Sequence, residues 1–195
     1  MKSLKGIFLA VVLFPLMMNW GCKTAETTYH LAGDVDLSYI KKVAVLPLDN
    51  LTNDKFAADA VRQVVINELL ITGLVDVTIP GDAVSAVEKA GVRQVSSMNA
   101  EQIKTIGKAL KVQAVILGSV DKYGELRSGN FTAPEVGITL MMADAASGSI
   151  LWSVSRDKVA DSFWARHFGA RSDTLGELTL RVVRECIKTL EKYSP

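Results

Sequence analysis

The segment that most constrains the fold is residues 41–52, with the sequence KKVAVLPLDNLT. Positions 43–48 are apolar, partly β-branched and followed by turn-forming residues, which predicts a short strand buried on both faces. Pro47 has no backbone N–H, so we expect it at the end of the strand or at an unpaired position. We interpret this strand as central, with later strands pairing beside it.

A strand–helix–strand unit follows from the next forty residues. A helical pattern runs from about residue 54 to 71, with Arg62 expected on its outer face and Gly73 as a natural stop. Residues 74–79 then alternate as a short strand and end at a Pro-Gly pair. Such a unit is most simply a right-handed crossover between parallel strands.

The rest of the chain adds one further strand, a hairpin and three helices. Predicted helices cover 82–90, 99–110 and 174–193, a buried strand covers 112–120, and alternating runs at 136–142 and 150–154 form a β-hairpin. Asn99 with Gln102, and Thr174 with Glu177, have capping-box spacing. The predicted fold class is α/β: a single mixed sheet of about five strands with helices on its faces, ending in a β-hairpin and a C-terminal helix.

The N-terminus has the features of a secretory signal. Residues 1–21 contain two lysines, no acidic residue and an apolar run at 7–18, which is shorter than the roughly 20 residues of a spanning helix. Gly21-Cys22 resembles the end of a bacterial lipobox, although Asn19 and Trp20 depart from it. The resemblance implies cleavage before Cys22, with diacylglycerol and an N-acyl chain on that residue. An uncleaved anchor and an incidental cysteine remain the alternatives.

The predicted domain organisation has three parts. Residues 1–21 are the signal peptide, 22–40 a lipidated N-terminal tether and 41–195 an α/β periplasmic domain. The 18 residues that follow Cys22, 23–40, could reach roughly 60 Å when extended. Lys23 follows the cysteine, whereas Asp at that position retains lipoproteins in the inner membrane, so the resemblance favours the outer membrane.

Charge and cysteine content restrict the function classes. Loss of residues 1–21 removes two positive charges and changes the net charge from +1 to −1, which argues against nucleic acid binding. Cys186 lies on an apolar helical stripe, which favours a small buried side chain over a reactive thiol.

Three stretches resemble one group of bacterial proteins. They are AVLPLDNLTND at 44–54, ALKVQAVILGSVDKYG at 109–124 and VGITLMMADAASGSILWS at 136–153. Their order and spacing are similar to those of the group that contains the curli-secretion lipoprotein CsgG, the penicillin-binding-protein activator LpoB and the TolB amino-terminal domain. The resemblance covers about residues 41–192. It implies a CsgG/TolB-N-like fold and a periplasmic module that binds proteins and carries no catalytic residues.

A secretion pore is not expected. Its hairpins would need about 9–11 residues in each membrane-spanning strand. The candidate insertions, 121–135 and 159–173, are short and carry several charged residues. We therefore predict a non-pore relative.

The sequence lacks the familiar catalytic and metal-binding patterns. It contains no phosphate-binding loop, dinucleotide fingerprint or nucleophile elbow, and His30 and His167 lie in different segments. Asp49 and Asp144 follow strands, where turn and capping roles explain them more simply than catalysis. We expect no enzyme activity, cofactor or metal.

One segment has the composition of an interface. Phe163, Trp164, Arg166, Phe168 and Arg171 bring aromatic rings and guanidinium groups together between the hairpin and the last helix. The alternative is a loop whose rings cover one end of the core.

The sequence thus predicts an outer-membrane-anchored, periplasm-facing lipoprotein that acts as a non-enzymatic scaffold in envelope assembly or secretion. Its partner would be an envelope protein or further copies of itself. The alternative is a small-ligand-binding or enzymatic α/β domain that uses the carboxyl ends of its strands. A deep polar pocket near Asp49 and Ser119 would favour that alternative, and a flat surface there would favour the scaffold.

Overall fold

The computed structural model describes residues 28–31, 36–129, 131–160 and 173–191. The strands are β1 Thr28–Leu31, β2 Lys42–Val45, β3 Asp49–Asn50, β4 Asp76–Val77, β5 Ala114–Ser128, β6 Phe131–Asp144 and β7 Ile150–Val159. The helices are α1 Ala57–Thr72, α2 Pro80–Lys89, α3 Ala100–Leu110 and α4 Leu175–Glu191, with a short 3-10 helix at Val95–Ser97.

The described strands form one mixed sheet in the order β1-β7-β6-β5-β2-β4, with β3 paired to β5. Strands β4 and β5 both run parallel to β2, while β5, β6, β7 and β1 pair antiparallel in sequence across the sheet. The parallel crossover from β2 through α1 to β4 is confirmed, as is the β6–β7 hairpin. The sheet has seven described strands rather than about five, because β1 and the two-residue β3 were not predicted.

Two helical layers cover the sheet and enclose separate apolar cores. Helices α1 and α4 pack on the face that carries Val43, Ile116 and Trp152. Helices α2 and α3 cover the opposite face around Ala44 and Leu117. The central strands are buried on both sides, which explains their continuous apolar sequences.

Two buried polar side chains, Arg62 and Glu68, tie helix α1 to neighbouring elements. Arg62 is not on the outer face as predicted: its guanidinium is buried and donates to the carbonyls of Val45, at 3.1 and 2.7 Å, and Pro80, at 3.0 Å. Glu68 accepts two hydrogen bonds from Arg184, which joins α1 to α4. Helical periodicity did not reveal Arg62, because a long side chain can reach backbone acceptors beyond its own helix face.

The N-terminal segment differs from the predicted tether. Residues 28–31 form β1 against β7, and Leu37 and Ile40 are buried in the α1–α4 core. The folded body therefore begins before residue 41. The sequence signal was weak, because a four-residue edge strand contributes little alternation and gains its stability from a partner distant in sequence.

The predicted insertion at 121–135 is a continuation of two strands rather than a loop. Strands β5 and β6 stay paired to the register Arg127↔Thr132 and beyond, with an irregularity between Val120 and Lys122. The extension of the two strands was not predicted, because its charged side chains lie on a largely solvated part of the hairpin, where polar residues are tolerated. The other predicted insertion, 159–173, lies mostly outside the described residues.

Most predicted element ends are close to the observed ones. Gly73 ends α1 in the left-handed region, at φ 66°, and Pro47 follows the end of β2. Both capping boxes are present: Asn99 with Gln102 at α3, and Thr174 with Glu177 before α4. Helix α1 begins three residues later than predicted, because Asp54 accepts a hydrogen bond from the N–H of Phe56 and forms a turn there.

Within the described ranges, no helix is both long and apolar enough to cross a bilayer.

The closest backbone approach in the sheet predicts a stability effect. A Cβ added at Gly118 would lie 2.0 Å from the carbonyl oxygen of Thr139 on β6, so Gly118→Ala should force the two strands apart. We expect it to lower the free energy of unfolding by about 1–3 kcal/mol or more, measured by urea denaturation. Gly176→Ala is the control, because no atom lies within 4 Å of its added Cβ. It should leave stability unchanged or raise it by up to about 1 kcal/mol. Equal effects of the two changes would contradict this account of the β5–β6 contact.

Candidate binding surfaces

Asp49, at the carboxyl end of the parallel strands, has a structural role. One carboxylate oxygen accepts from the N–H of Val95 at 3.0 Å, and the other accepts from the N–H and hydroxyl of Ser96 at 2.8 and 2.5 Å. These bonds hold the start of the 3-10 helix against β3. The carboxylate is therefore already bonded to the protein itself, as the predicted turn and capping role requires.

Ser119, the second polar group expected there, is also bonded within the sheet. Its hydroxyl donates to Asp121 at 2.6 Å, and the Thr139 hydroxyl donates to the other oxygen of the same carboxylate at 2.8 Å. Ser119 is buried, so it lines no open pocket. The deep polar pocket that would have favoured a ligand-binding or enzymatic domain is not formed by these two residues.

Apolar side chains occupy the exposed surface at the same end. Leu51 follows β3, Phe56 precedes α1 and Ile79 follows β4, so the topology places all three at the carboxyl end of the parallel strands. Their exposed fractions are 63%, 64% and 68%. The ammonium of Lys55 lies 4.8 Å from the centre of the Phe56 ring, and most of the Phe56 side chain remains exposed beside it. We call Leu51, Phe56 and Ile79 the apolar end.

An open cleft lined by both polar and apolar side chains lies at the opposite end of the sheet. It has a volume of about 300 Å³ and is lined by Tyr39, Lys108, Val112, Gln113, Asp144, Ala145 and Ala146. The Tyr39 hydroxyl donates to Asp144 at 2.9 Å, and the N–H of Ser147 donates to the other carboxylate oxygen at 2.6 Å. Asp144 therefore organises the β6–β7 turn, as predicted.

The titration of this pair follows from burial and hydrogen bonding. Burial would raise the pKa of Asp144, but hydrogen bonds from Ser147 and Tyr39 outweigh it and hold the pKa below its ordinary value. Burial and the adjacent carboxylate raise the pKa of Tyr39 to about 12. At neutral pH the pair is thus a charged carboxylate acceptor with a neutral phenol donor.

Several predicted site residues lie outside the described part of the chain. Cys22 is one, and the aromatic–arginine residues Phe163, Trp164, Arg166, Phe168 and Arg171 are the others. Their assignments stay predictions. Cys186, by contrast, is fully buried as expected, and burial raises the pKa of its thiol to about 12. Among the described residues, no group of three acidic, His or Cys side chains could hold a metal ion.

The apolar end was missed at the sequence level. Its three residues are separated along the chain, and each reads as an ordinary apolar residue of a loop or helix start. Their shared location is a property of parallel topology, which brings the carboxyl ends of successive strands to one edge.

Together, the mixed sheet and its two helical layers define a class: an α/β domain with one mixed sheet covered by helices on both faces. No protein-family model and no curated protein sequence matches this chain. The likeness is to solved structures and concerns the fold.

Two of these structures come from bacterial proteins. The PelC dodecamer from Paraburkholderia phytofirmans has a TM-score of 0.59 and 19% identity, over 85% of this chain and 97% of the PelC chain. Lipoprotein GNA1162 from Neisseria meningitidis has a TM-score of 0.56 and 14% identity, over 78% of this chain and 99% of its own. The similarity to a lipoprotein group predicted from the sequence is confirmed.

The C-terminal domain of LpoB from Salmonella enterica is also similar, at a TM-score of 0.46 and 21% identity over 65% of this chain and 87% of that domain. A score at this level supports no inference about the present chain.

Asp144 predicts a pH-dependent contribution to stability. Its pKa in the folded protein is lower than its ordinary value of 3.8, so the ionised carboxylate stabilises the fold above about pH 4. That contribution is lost as the pH falls through the lower, folded-state pKa. Asp144→Asn should therefore lower the free energy of unfolding by about 1–3 kcal/mol at pH 7. The difference from the parent protein should shrink below pH 4. Urea denaturation at several pH values measures it.

The matched control is Asp76→Asn, which changes an exposed carboxylate and for which only a small effect on the free energy of unfolding is expected. A constant difference between the Asp144 variant and the parent protein from pH 7 to pH 3 would contradict the assignment.

Proposed function

We propose that the protein is an outer-membrane-anchored, periplasm-facing lipoprotein that acts as a non-enzymatic scaffold in envelope assembly or secretion. The observation that carries the proposal is the apolar end. At the edge of the sheet where α/β enzymes place their catalytic groups, Asp49 and Ser119 are bonded internally, and Leu51, Phe56 and Ile79 face solvent. Exposed apolar side chains, next to polar groups that already hydrogen-bond within the protein, favour protein binding over catalysis.

The membrane anchor is proposed at Cys22. Each buried CH₂ of an acyl chain contributes about 0.8 kcal/mol, so two or more chains hold a protein firmly on a bilayer. The lipobox-like Gly21-Cys22 pair supports this proposal, and so does the fold shared with lipoprotein GNA1162. Lys23 supports the outer membrane as the destination.

For the apolar end, we propose a second copy of this chain as the occupant. The similarly folded PelC forms a dodecamer, which supports self-association through a surface of this fold. Three apolar side chains exposed by more than half are a small patch, so further contacts must contribute. The aromatic–arginine residues Phe163, Trp164, Arg166, Phe168 and Arg171 are proposed as such contacts, because their composition is that of interface hot spots. An envelope protein as the occupant is the alternative outcome.

Lipidation is tested first. Full-length protein expressed in a Gram-negative host should have the mass of a chain that begins at Cys22 and carries acyl chains, and it should float with membranes. Cys22→Ser should remain unprocessed or lose the lipid. Cys186 serves as the internal control, since Cys186→Ala should leave the lipid mass unchanged. A mature protein without lipid would refute the anchor.

Self-association is tested with two double variants. Leu51→Ser with Phe56→Ser removes apolar surface from the proposed contact, whereas Leu70→Ser with Ile71→Ser removes comparable exposed surface from the far end of α1. The acylated parent protein in detergent should have a mass that is a multiple of the monomer, measured by light scattering. The first variant should weaken association by about 2 kcal/mol or more, and the second should not.

Circular dichroism establishes that both variants are folded. A monomeric parent protein would refute self-association. Crosslinking in native membranes that captures a different envelope protein, lost only in the Leu51/Phe56 variant, would assign the apolar end to that protein instead.

A further inference from the structure

Strand β1 brings the proposed lipid anchor close to the sheet. Its residues pair with β7 in the registers Thr28↔Ser155 through Leu31↔Trp152, so the chain is fixed from residue 28 onward. Only six peptide units separate Cys22 from Thr28, and a fully extended chain of that length spans about 20 Å. If the first fixed position were Leu37, the reach would be about 50 Å.

The β5–β6 hairpin projects far beyond the point where β1 starts. Thr28, Ser155, Thr139 and Ser119 form one row across β1, β7, β6 and β5. Strand β1 runs antiparallel to β7, so the chain before Thr28 leaves the sheet toward the end at which β5 and β6 continue. Residues 121–127 and 132–135 form this continuation, which we call the arm.

Counting residues along β6 gives the distance from the Thr28 row to the distal end of the arm. Thr132, which pairs with Arg127, lies seven residues beyond Thr139, a distance of about 24 Å along the strand. The sideways separation of β1 from β6 is two strand spacings, or about 10 Å. The distal end of the arm therefore lies farther beyond the Thr28 row than the chain between Thr28 and the anchor can reach.

We propose that the distal part of the arm rests on the lipid headgroups of the membrane, held there by the short connection between Cys22 and β1. The proposal depends on the lipid anchor of the proposed function and adds the orientation of the domain. With Thr28 within about 20 Å of the bilayer surface, the arm on the same side of the sheet reaches that surface, and the β6–β7 turn points away from it.

The charges of the arm suit headgroups rather than the hydrocarbon layer. Lys122 pairs with Glu135 at 2.9 Å and with Asp157 at 3.1 Å, and Arg127 pairs with Glu125 at 3.2 Å. Burying these groups in the acyl layer would be costly, whereas the interface solvates them. The described arm has two cations and three carboxylates, so it has no excess positive charge that would attract it to anionic lipids. Contact must therefore come from the anchor.

The test uses single introduced cysteines in the full-length acylated protein. The Cys22 thiol is blocked by lipid, and Cys186 is buried with a raised pKa, so a thiol dye reacts selectively with a new exposed cysteine. Thr132→Cys places the dye on the arm. Ser149→Cys is the matched control, since it is also an exposed hydroxyl residue but lies beyond the opposite end of β6, about 40 Å away.

Each labelled protein is reconstituted into phosphatidylcholine–phosphatidylethanolamine vesicles that contain a headgroup spin-labelled lipid. The dye at position 132 should lose most of its emission, and the dye at 149 should lose almost none. A flexible Gly/Ser linker of about 20 residues inserted between Lys23 and Thr24 should restore the emission at 132, because it frees the domain without altering β1.

The outcomes separate the orientation from the anchor. If the vesicles float without the protein, the lipid anchor has failed. If the protein floats but both dyes are quenched equally, or only the dye at 149 is quenched, the anchor stands and the orientation is overturned. Quenching at 132 that persists with the long linker would show that the arm binds lipid by itself, which overturns the role of the short connection.

Discussion

The burial of β5 on both faces is the constraint on which the rest of the structure depends. Its alternate side chains enter two different cores, with Ile116 among α1 and α4 and Leu117 among α2 and α3. One edge accepts the parallel strands β2 and β3, and the other accepts β6. Strands β4, β7 and β1 extend the sheet beyond these direct neighbours. Because both cores contain side chains of β5, a disturbance of the close β5–β6 contact would reach both helical layers at once.

The polar groups near the ends of this strand support the backbone rather than a reaction. Asp49 fixes the 3-10 helix to β3, Asp144 fixes the β6–β7 turn, and Arg62 binds the carbonyl that ends β2. A carboxylate with its oxygens already bonded gains little from a ligand, because a new bond would replace an existing one. The apolar side chains of Leu51, Phe56 and Ile79 remain exposed at the same end.

The N-terminal strand shortens the chain between the folded domain and the lipid anchor proposed at Cys22. A four-residue edge strand is weak alone, but β1 gains the ladder of β7 and lies next to the core that holds Leu37 and Ile40. Its pairing removes much of the length that an unstructured tether would have provided. The same pairing covers part of the exposed edge of β7, where an unpaired strand would be open to aggregation.

The sequence by itself determined the elements whose signals are local. The buried strand at 43–48, the crossover helix, both capping boxes and the β6–β7 hairpin could be read from periodicity and cap residues, and the resemblance in three stretches indicated the fold group. Only the tertiary structure decided the pairing of β1, the extension of β5 and β6 through charged residues, the burial of Arg62 and the grouping of Leu51, Phe56 and Ile79. The pairing of β1 and the burial of Arg62 depend on partners that a residue's immediate neighbours in sequence do not reveal. The extended hairpin pairs residues that are close in sequence, such as Arg127 with Thr132, but its solvated side chains lack much of the apolar alternation by which a strand is recognised.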